Sequence, residues 1–266
     1  MSMRRVKRAL GLPASVEVSE KRGVRTLHLG GDAIQSAIRL SAPDELELAY
    51  TRAMMSFLLF VPDPRDLLMI GLGGGSVARF VHERIPSARM TAVEINSQVV
   101  AAARSFFGLP YDDARLKVKI TDGGKYVPAH RSACDVLLLD AFDDGRSVAA
   151  LATPSFYDAC HACLRPGGVL VVNFIRDEPR FDTYLSRIEN SFDGKALLLP
   201  CDGGVNNIVL AFKDGPVRVA IDPLKRAARA LKKRYRLPFD AFVSDLLYYN
   251  GTTTSFLRIG LERESE

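Results

Sequence analysis

Leu67-Leu-Met-Ile-Gly-Leu-Gly-Gly-Gly-Ser-Val77 decides the fold. Leu67–Ile70 is short and continuously apolar, as expected of a strand buried on both faces. The glycines that follow let the chain turn tightly and let a ligand approach the main chain. A helical stretch, Val77–Ile85, comes next. Glu94 then ends the following strand, roughly 20 residues on, where an acidic side chain accepts hydrogen bonds from ribose hydroxyls. Gly71, Gly73, Gly74 and Gly75 together with Glu94 therefore mark a site for a nucleoside-type cofactor. The pattern fits both dinucleotide and S-adenosylmethionine folds.

Downstream, the spacing predicts strands at Met90–Val93, Leu116–Ile120, Cys134–Leu139 and Gly168–Phe174. Helices are predicted at Ser97–Phe107, Pro154–Leu164 and Phe181–Phe192, and a closing strand pair at Ala196–Leu199 and Ile208–Phe212. Such alternation implies an α/β, Rossmann-like, doubly wound parallel sheet. Upstream, Ser15–Ser19 and Val24–Leu29 flank a Lys21–Gly23 turn. Gly30-Gly31 leads on to Ala33–Leu40, which completes a small β-meander. Asp44 is expected to cap a helix from Glu45 to about Phe60, ended by Pro62 and Pro64. Two units follow: an N-terminal β-strand subdomain, 1–44, and a Rossmann-like domain, 45–266, whose tail from Asp222 is helical and becomes aromatic near Leu246–Tyr249.

Among the 266 residues, 47% are hydrophobic and 25% charged, which excludes a disordered chain. No apolar run reaches the roughly 18–20 residues of a membrane span. The basic start MSMRRVKRAL lacks the apolar stretch of a secretory signal, so a cytoplasmic location is expected. Cys134, Cys160, Cys163 and Cys201 are too few for a disulfide scaffold. Cys160-x-x-Cys163 lies in a helical stretch with no second pair, and reads as two small buried residues rather than a metal or redox site. The net charge of +5 owes much to Arg4–Arg8 and to the helical Lys225–Arg236 segment. No nucleic-acid motif accompanies that segment, which reads as a solvated face.

Two acidic stretches complete the site. Asp122-Gly123 follows the third strand of the sheet. An acid there can accept a hydrogen bond from an adenine amino group, which favours S-adenosylmethionine chemistry, and it can also cap the helix near Lys125. Asp140-Ala-Phe-Asp143-Asp144-Gly145 follows the fourth strand, and ligands of open α/β sheets bind at such carboxyl ends. Carboxylates at that mouth can hold a cationic amine and help remove its proton. The competing reading is an Asp-rich capped turn without chemistry.

With these motifs in order, the sequence resembles the spermidine synthase (polyamine aminopropyltransferase) family from about Arg25 to Phe212. The likeness also includes Gln35, Tyr50-Thr-Arg-Ala-Met, Val93-Glu-Ile-Asn, Thr153-Pro-Ser-Phe-Tyr and Leu164-Arg-Pro-Gly-Gly. It implies that Glu94 holds the cofactor ribose and Asp122 the adenine. It further implies that Gln35 lines the cofactor site and that Asp140 positions and helps deprotonate the attacking amine. Tyr50 stands beside that chemistry, while Asp143, with Asp144 next to it, binds the amine. The implied co-substrate is decarboxylated S-adenosylmethionine, with no metal. The implied partners are a small-molecule amine and a second copy of the chain in a homodimer.

Three positions depart from the family pattern. Gly74 replaces an aspartate that, in the family, favours the ammonium of the decarboxylated cofactor. Thr51 replaces a histidine after Tyr50, and Pro200-Cys-Asp202-Gly-Gly lacks a tyrosine near the substrate. Three functions are thus carried forward: aminopropyl transfer, methyl or aminocarboxypropyl transfer from ordinary S-adenosylmethionine, and noncatalytic nucleoside or polyamine binding.

Overall fold

The computed structural model describes residues 16–30, 34–143, 146–201 and 203–260. It opens with an antiparallel sheet of β1 (Val16–Lys21), β2 (Val24–Leu29) and β3 (Ile34–Arg39). The β1–β2 loop is Arg22-Gly23, with φ of 54° and 73°. Two positive φ angles in a two-residue loop match the right-handed twist of a hairpin. Next comes α1 (Ala49–Met54), which tightens into a 3-10 turn, Met55–Leu59.

The predicted Glu45–Phe60 helix is therefore shorter at its start, and Asp44 is not its cap. Arg52 donates to the carbonyls of Leu46 and Glu47 at 2.8 and 2.7 Å, while the Glu47 carboxylate pairs with Arg39 and Asp44 with Arg84. These partners claim groups that an earlier helical turn would use.

The central unit alternates strands and helices: β4 (Asp66–Ile70), α2 (Ser76–Arg84), β5 (Arg89–Glu94), α3 (Ser97–Phe106), β6 (Leu116–Ile120), α4 (Gly123–Tyr126) and β7 (Cys134–Leu139). The two-residue strands β8 (Phe142–Asp143) and β9 (Arg146–Ser147) form a small ribbon. Then follow α5 (Pro154–Cys163), β10 (Leu164–Ile175), α6 (Phe181–Ser191), β11 (Ala196–Pro200) and β12 (Asn206–Phe212). The chain ends with β13 (Arg218–Ala220), α7 (Ile221–Tyr235), α8 (Phe239–Tyr249) and β14 (Phe256–Arg258). The β13–β14 pairing carried no legible pattern, since each strand has only three residues.

The seven-stranded sheet runs β11-β12-β10-β7-β4-β5-β6. Strands β10 to β6 are parallel, and β12 turns back antiparallel to both β10 and β11. Side chains alternate between two cores, as period-2 geometry requires. Leu67, Met69, Val136 and Leu138 face α1, α2, α7 and α8, whereas Leu68, Ile70, Leu137 and Leu139 face α5 and α6. Cys160 and Cys163 are fully buried in the second core, where Cys163 Sγ lies 4.0 Å from Cys134 Sγ. The N-terminal sheet packs Leu27 and Ile38 on Val99, Ala102 and Phe107.

Candidate active site

The chain leaves β4 for β5 and β6 on one side, then crosses to place β7 on the other. The carboxyl ends of β4 and β7 thus flank the switch point of the sheet, where open α/β sheets bind ligands. Gly71 directly follows β4 and Asp140 directly follows β7. Gly71 has φ +88°, and a Cβ there would lie 2.0 Å from the Asp140 carbonyl oxygen. No side chain other than hydrogen fits between these strand ends.

A cleft opens over this point. It is lined by the predicted Gln35, Gly71, Gly73, Glu94, Asp122, Gly123 and Asp140. Gly74 and Gly75 face the protein behind it. A Cβ on Gly74 would meet Ser36 Oγ at 2.7 Å and the Phe107 ring at 2.9 Å, and one on Gly75 would meet Leu109 at 2.8 Å. Gly75, with φ 74°, is the left-handed residue that starts α2. Packing leaves no room for a side chain at Gly74: Ser36 and Phe107 occupy the space it would take.

Glu94 accepts from the backbone N–H of Leu72 at 3.0 Å and of Asn96 at 2.9 Å, one on each carboxylate oxygen. A carboxylate has about four acceptor sites, so capacity remains for hydroxyl donors. Burial raises its pKa against the backbone hydrogen bonds. Asp122 accepts from Gly124 N at 2.8 Å and caps α4, so the capping reading is realised, with its second oxygen left for another donor.

Asp140 is partly open along the cleft and enclosed elsewhere. Desolvation pushes its pKa up to about 6, against hydrogen bonds from Asn173 and Tyr50 and with a repulsive contribution from Glu94. Asn173 Nδ2 donates to Asp140 Oδ1 at 2.8 Å. The Tyr50 hydroxyl donates to the Gln35 carbonyl at 2.9 Å and also lies within hydrogen-bonding reach of Asp140. Its single proton serves one acceptor at a time. Burial, followed by the Asp140 charge, holds the Tyr50 pKa well above its ordinary value.

Asp143 sits in the β8–β9 ribbon, with its backbone opposite Arg146. Asp144 and Asp202 lie outside the described residues. Two further contributors were given no role by the sequence. Asn173 is an ordinary strand residue until β10 is placed beside β7. Ile95, 70% exposed, walls the cleft next to Glu94; an isolated surface isoleucine carries no message without that cleft.

Comparison with known proteins identifies the family. The sequence model of the spermine/spermidine synthase domain matches residues 47–187. A polyamine aminopropyltransferase of Chromobacterium violaceum is 41% identical over 96% of this chain and 98% of its own length. Among solved structures, human methyltransferase-like protein 13 in complex with SAH superposes with a TM-score of 0.65 at 30% identity, covering 72% of this chain and 94% of that one. A probable spermidine synthase from Corynebacterium glutamicum shares the fold, with a TM-score of 0.69 at 21% identity over 91% of this chain and 95% of that one. On the domain match and an identity of 41% along nearly the whole chain, the protein belongs to the spermine/spermidine synthase family.

Proposed function

We propose that this chain transfers an aminopropyl group from decarboxylated S-adenosylmethionine to a polyamine or related amine. The observation that carries the reading is Asp140: a carboxylate at the switch point, against the Gly71 loop, with a pKa near 6 and no ion-pair partner among the described residues. In the reaction, a neutral amine nitrogen attacks the carbon beside the sulfonium. A C–N bond forms, the C–S bond breaks with its electron pair on sulfur, and methylthioadenosine leaves. The amine proton passes to Asp140. A base with a pKa near 6 is ionised at neutral pH and still close enough in pKa to exchange protons. Much of the remaining acceleration is orientation of the two reactants.

The residues present suit such a co-substrate. Glu94 would hold the ribose hydroxyls and Asp122 the adenine amino group, while Ile95 and Leu151 supply apolar walls. Gln35 would line the same site, Tyr50 would position the Asp140 carboxylate, and Asp143 with Asp144 would bind the cationic end of the amine. By family likeness the enzyme works in the cytoplasm as a homodimer, with residues 1–44 forming a subdomain beside the catalytic unit.

A second reading has its own observation. No carboxylate stands at Gly74, and its space is filled by Ser36 and Phe107. Nothing at that point repels the carboxylate of ordinary S-adenosylmethionine, so methyl or aminocarboxypropyl transfer is the competing activity. Calorimetric titration with both cofactors, together with methylthioadenosine release from each in the presence of a panel of amines, separates the two. Preference for the decarboxylated form with amine-dependent release supports aminopropyl transfer. Equal or tighter binding of ordinary S-adenosylmethionine, with product formed from it, moves the assignment to the second reading.

A further inference from the structure

The Asp140–Asn173 contact belongs to a longer chain of side chains. Asn173, 4% exposed, presents its Nδ2 to Asp140 at 2.8 Å, and its own Oδ1 accepts from Asn206 Nδ2 at 3.0 Å. The two asparagines lie on antiparallel neighbours: Asn173 is opposite Ile208 and Asn206 opposite Ile175, so they meet diagonally across β10 and β12.

An asparagine side chain has a donor end and an acceptor end, exchanged by half a turn about its last torsion. The donor end satisfies an ionised carboxylate. The acceptor end would set a carbonyl against it, an arrangement tolerated only if the carboxyl carries a proton to donate. Asn173 alone can present either end. In the structure Asn206 turns its donor end to the Asn173 carbonyl and so adds a second hydrogen bond to the orientation that leaves the amide N–H facing Asp140, a bond that a turned Asn173 keeps only if Asn206 turns with it.

We propose that Asn206 is a positioning residue for group transfer: it fixes the orientation of the Asn173 amide and so favours the ionised, proton-accepting form of Asp140. The proposal rests on the reading of Asp140 as the base for aminopropyl transfer. Among the described residues, the titratable groups facing Asp140 are Tyr50 from α1 and Glu94 from the end of β5. Asn206 changes neither of them, because it acts through Asn173.

The test is a carbon-13 NMR titration of the Asp140 carboxyl, assigned by its loss in Asp140→Asn, which requires no turnover. Without the donor, Asn173 is free to turn, and the protonated form gains. In Asn206→Ala the titration midpoint is expected to rise by about 0.5–1 pH unit. Asn206→Val, suited to a strand, should move the same way, while Asn206→Gln, which keeps an amide donor, should stay near the wild-type midpoint. In parallel, the acidic limb of the kcat profile should shift to higher pH, lowering kcat at pH 6 roughly twofold to fivefold. An unmoved midpoint in both donorless variants overturns the proposal, whatever happens to their thermal stability. Equal shifts in Asn206→Gln and Asn206→Ala overturn it too, since the donor would not be the cause. If the wild-type protein makes no methylthioadenosine, the reading of the reaction fails, but the midpoints still decide the role of Asn206.

Discussion

The parallel sheet carries carboxylates at both of its ends, Asp66 and Asp135 at the amino ends of β4 and β7 and Glu94 and Asp140 at the carboxyl ends of β5 and β7, and the two ends treat them oppositely. At the amino end, Asp66 pairs with Arg89 and Arg165 at 2.8 Å each. Asp135 pairs with Arg165 at 2.9 Å and accepts from the backbone N–H of Arg65 and Asp66. The Arg89 hydrogen bond leads in holding Asp66 below its ordinary pKa. For Asp135, burial pushes up, but the two backbone donors and Arg165 outweigh it. At the carboxyl end, Glu94 and Asp140 have no ion-pair partner among the described residues, and burial leads in raising both. One end spends its carboxylates on tying strands together. The other keeps them available to an incoming cation or proton.

The largest expected effect breaks the free end. Asp140→Asn keeps the shape and the hydrogen bond from Asn173 but removes the proton acceptor. Methylthioadenosine formation should fall about 10²–10⁴-fold. The sign of the stability effect is set by linkage. Asp140 has a folded pKa of about 6 against an ordinary 3.8, so the folded state holds a proton that the unfolded chain releases earlier. Its contribution is fully present below the ordinary value and is lost as pH rises to about 6. Urea midpoints measured from pH 3 to 8 should therefore lose that downward trend in Asp140→Asn. The same carboxylate sets the activity profile, with rates falling as pH drops below about 6.

The paired end should answer in the opposite direction. Asp135→Ala removes an acceptor of two backbone N–H groups and one guanidinium, and should cost about 2–3 kcal/mol by chemical denaturation. Asp66 and Asp135 stabilise above the ordinary carboxylate range and lose that contribution as pH falls through their lowered values. The cost of Asp135→Ala should shrink in acid, while catalytic rate per folded molecule stays near wild type. A large loss of kcat in Asp135→Ala with unchanged stability would erase the division between the two ends.

How much of this division the sequence reveals depends on the range of the interactions. Leu67–Ile70, the Gly71 loop, Glu94, Asp122 and Asp140 are legible because strand period, turn chemistry and strand ends are local properties. The start of α1 is misread because Arg39 from β3 and Arg84 from α2 reach the 44–48 segment through the fold, and Arg52 turns back from α1 itself onto the carbonyls of Leu46 and Glu47. Asn173 and Asn206 are silent for the same reason. Their pairing needs β12 to return antiparallel beside β10, and no local pattern states which strand lies next to which.

Gly74 sharpens the comparison, because part of the site end is packed as tightly as any structural contact. A Cβ at Gly74 must displace both Ser36 Oγ and the Phe107 ring. Gly74→Ala should cost about 1–2 kcal/mol through overpacking, read as a lowered Tm. Pairing it with Ser36→Gly should recover part of that loss, since Ser36 Oγ makes the closer contact. Gly74→Asp should behave worse than Gly74→Ala alone, which separates packing from any gain in selectivity for a cationic cofactor.

The smallest expected effect concerns Ile95. At 70% exposure it stabilises little in the free protein, yet it walls the cleft beside Glu94. Ile95→Ala should leave Tm almost unchanged, within about 0.5 kcal/mol of stability. A bound adenosyl group covering this side chain would bury the apolar surface that water now touches. Losing part of that surface should weaken cofactor binding by roughly threefold to tenfold at about 25 cal/mol per Å². The loss should appear in Kd and KM with kcat little changed, because Ile95 touches neither Asp140 nor the breaking bond in this reading. A fall in kcat without a change in Kd would place the side chain at the reacting centre and move the division between binding wall and base toward β5.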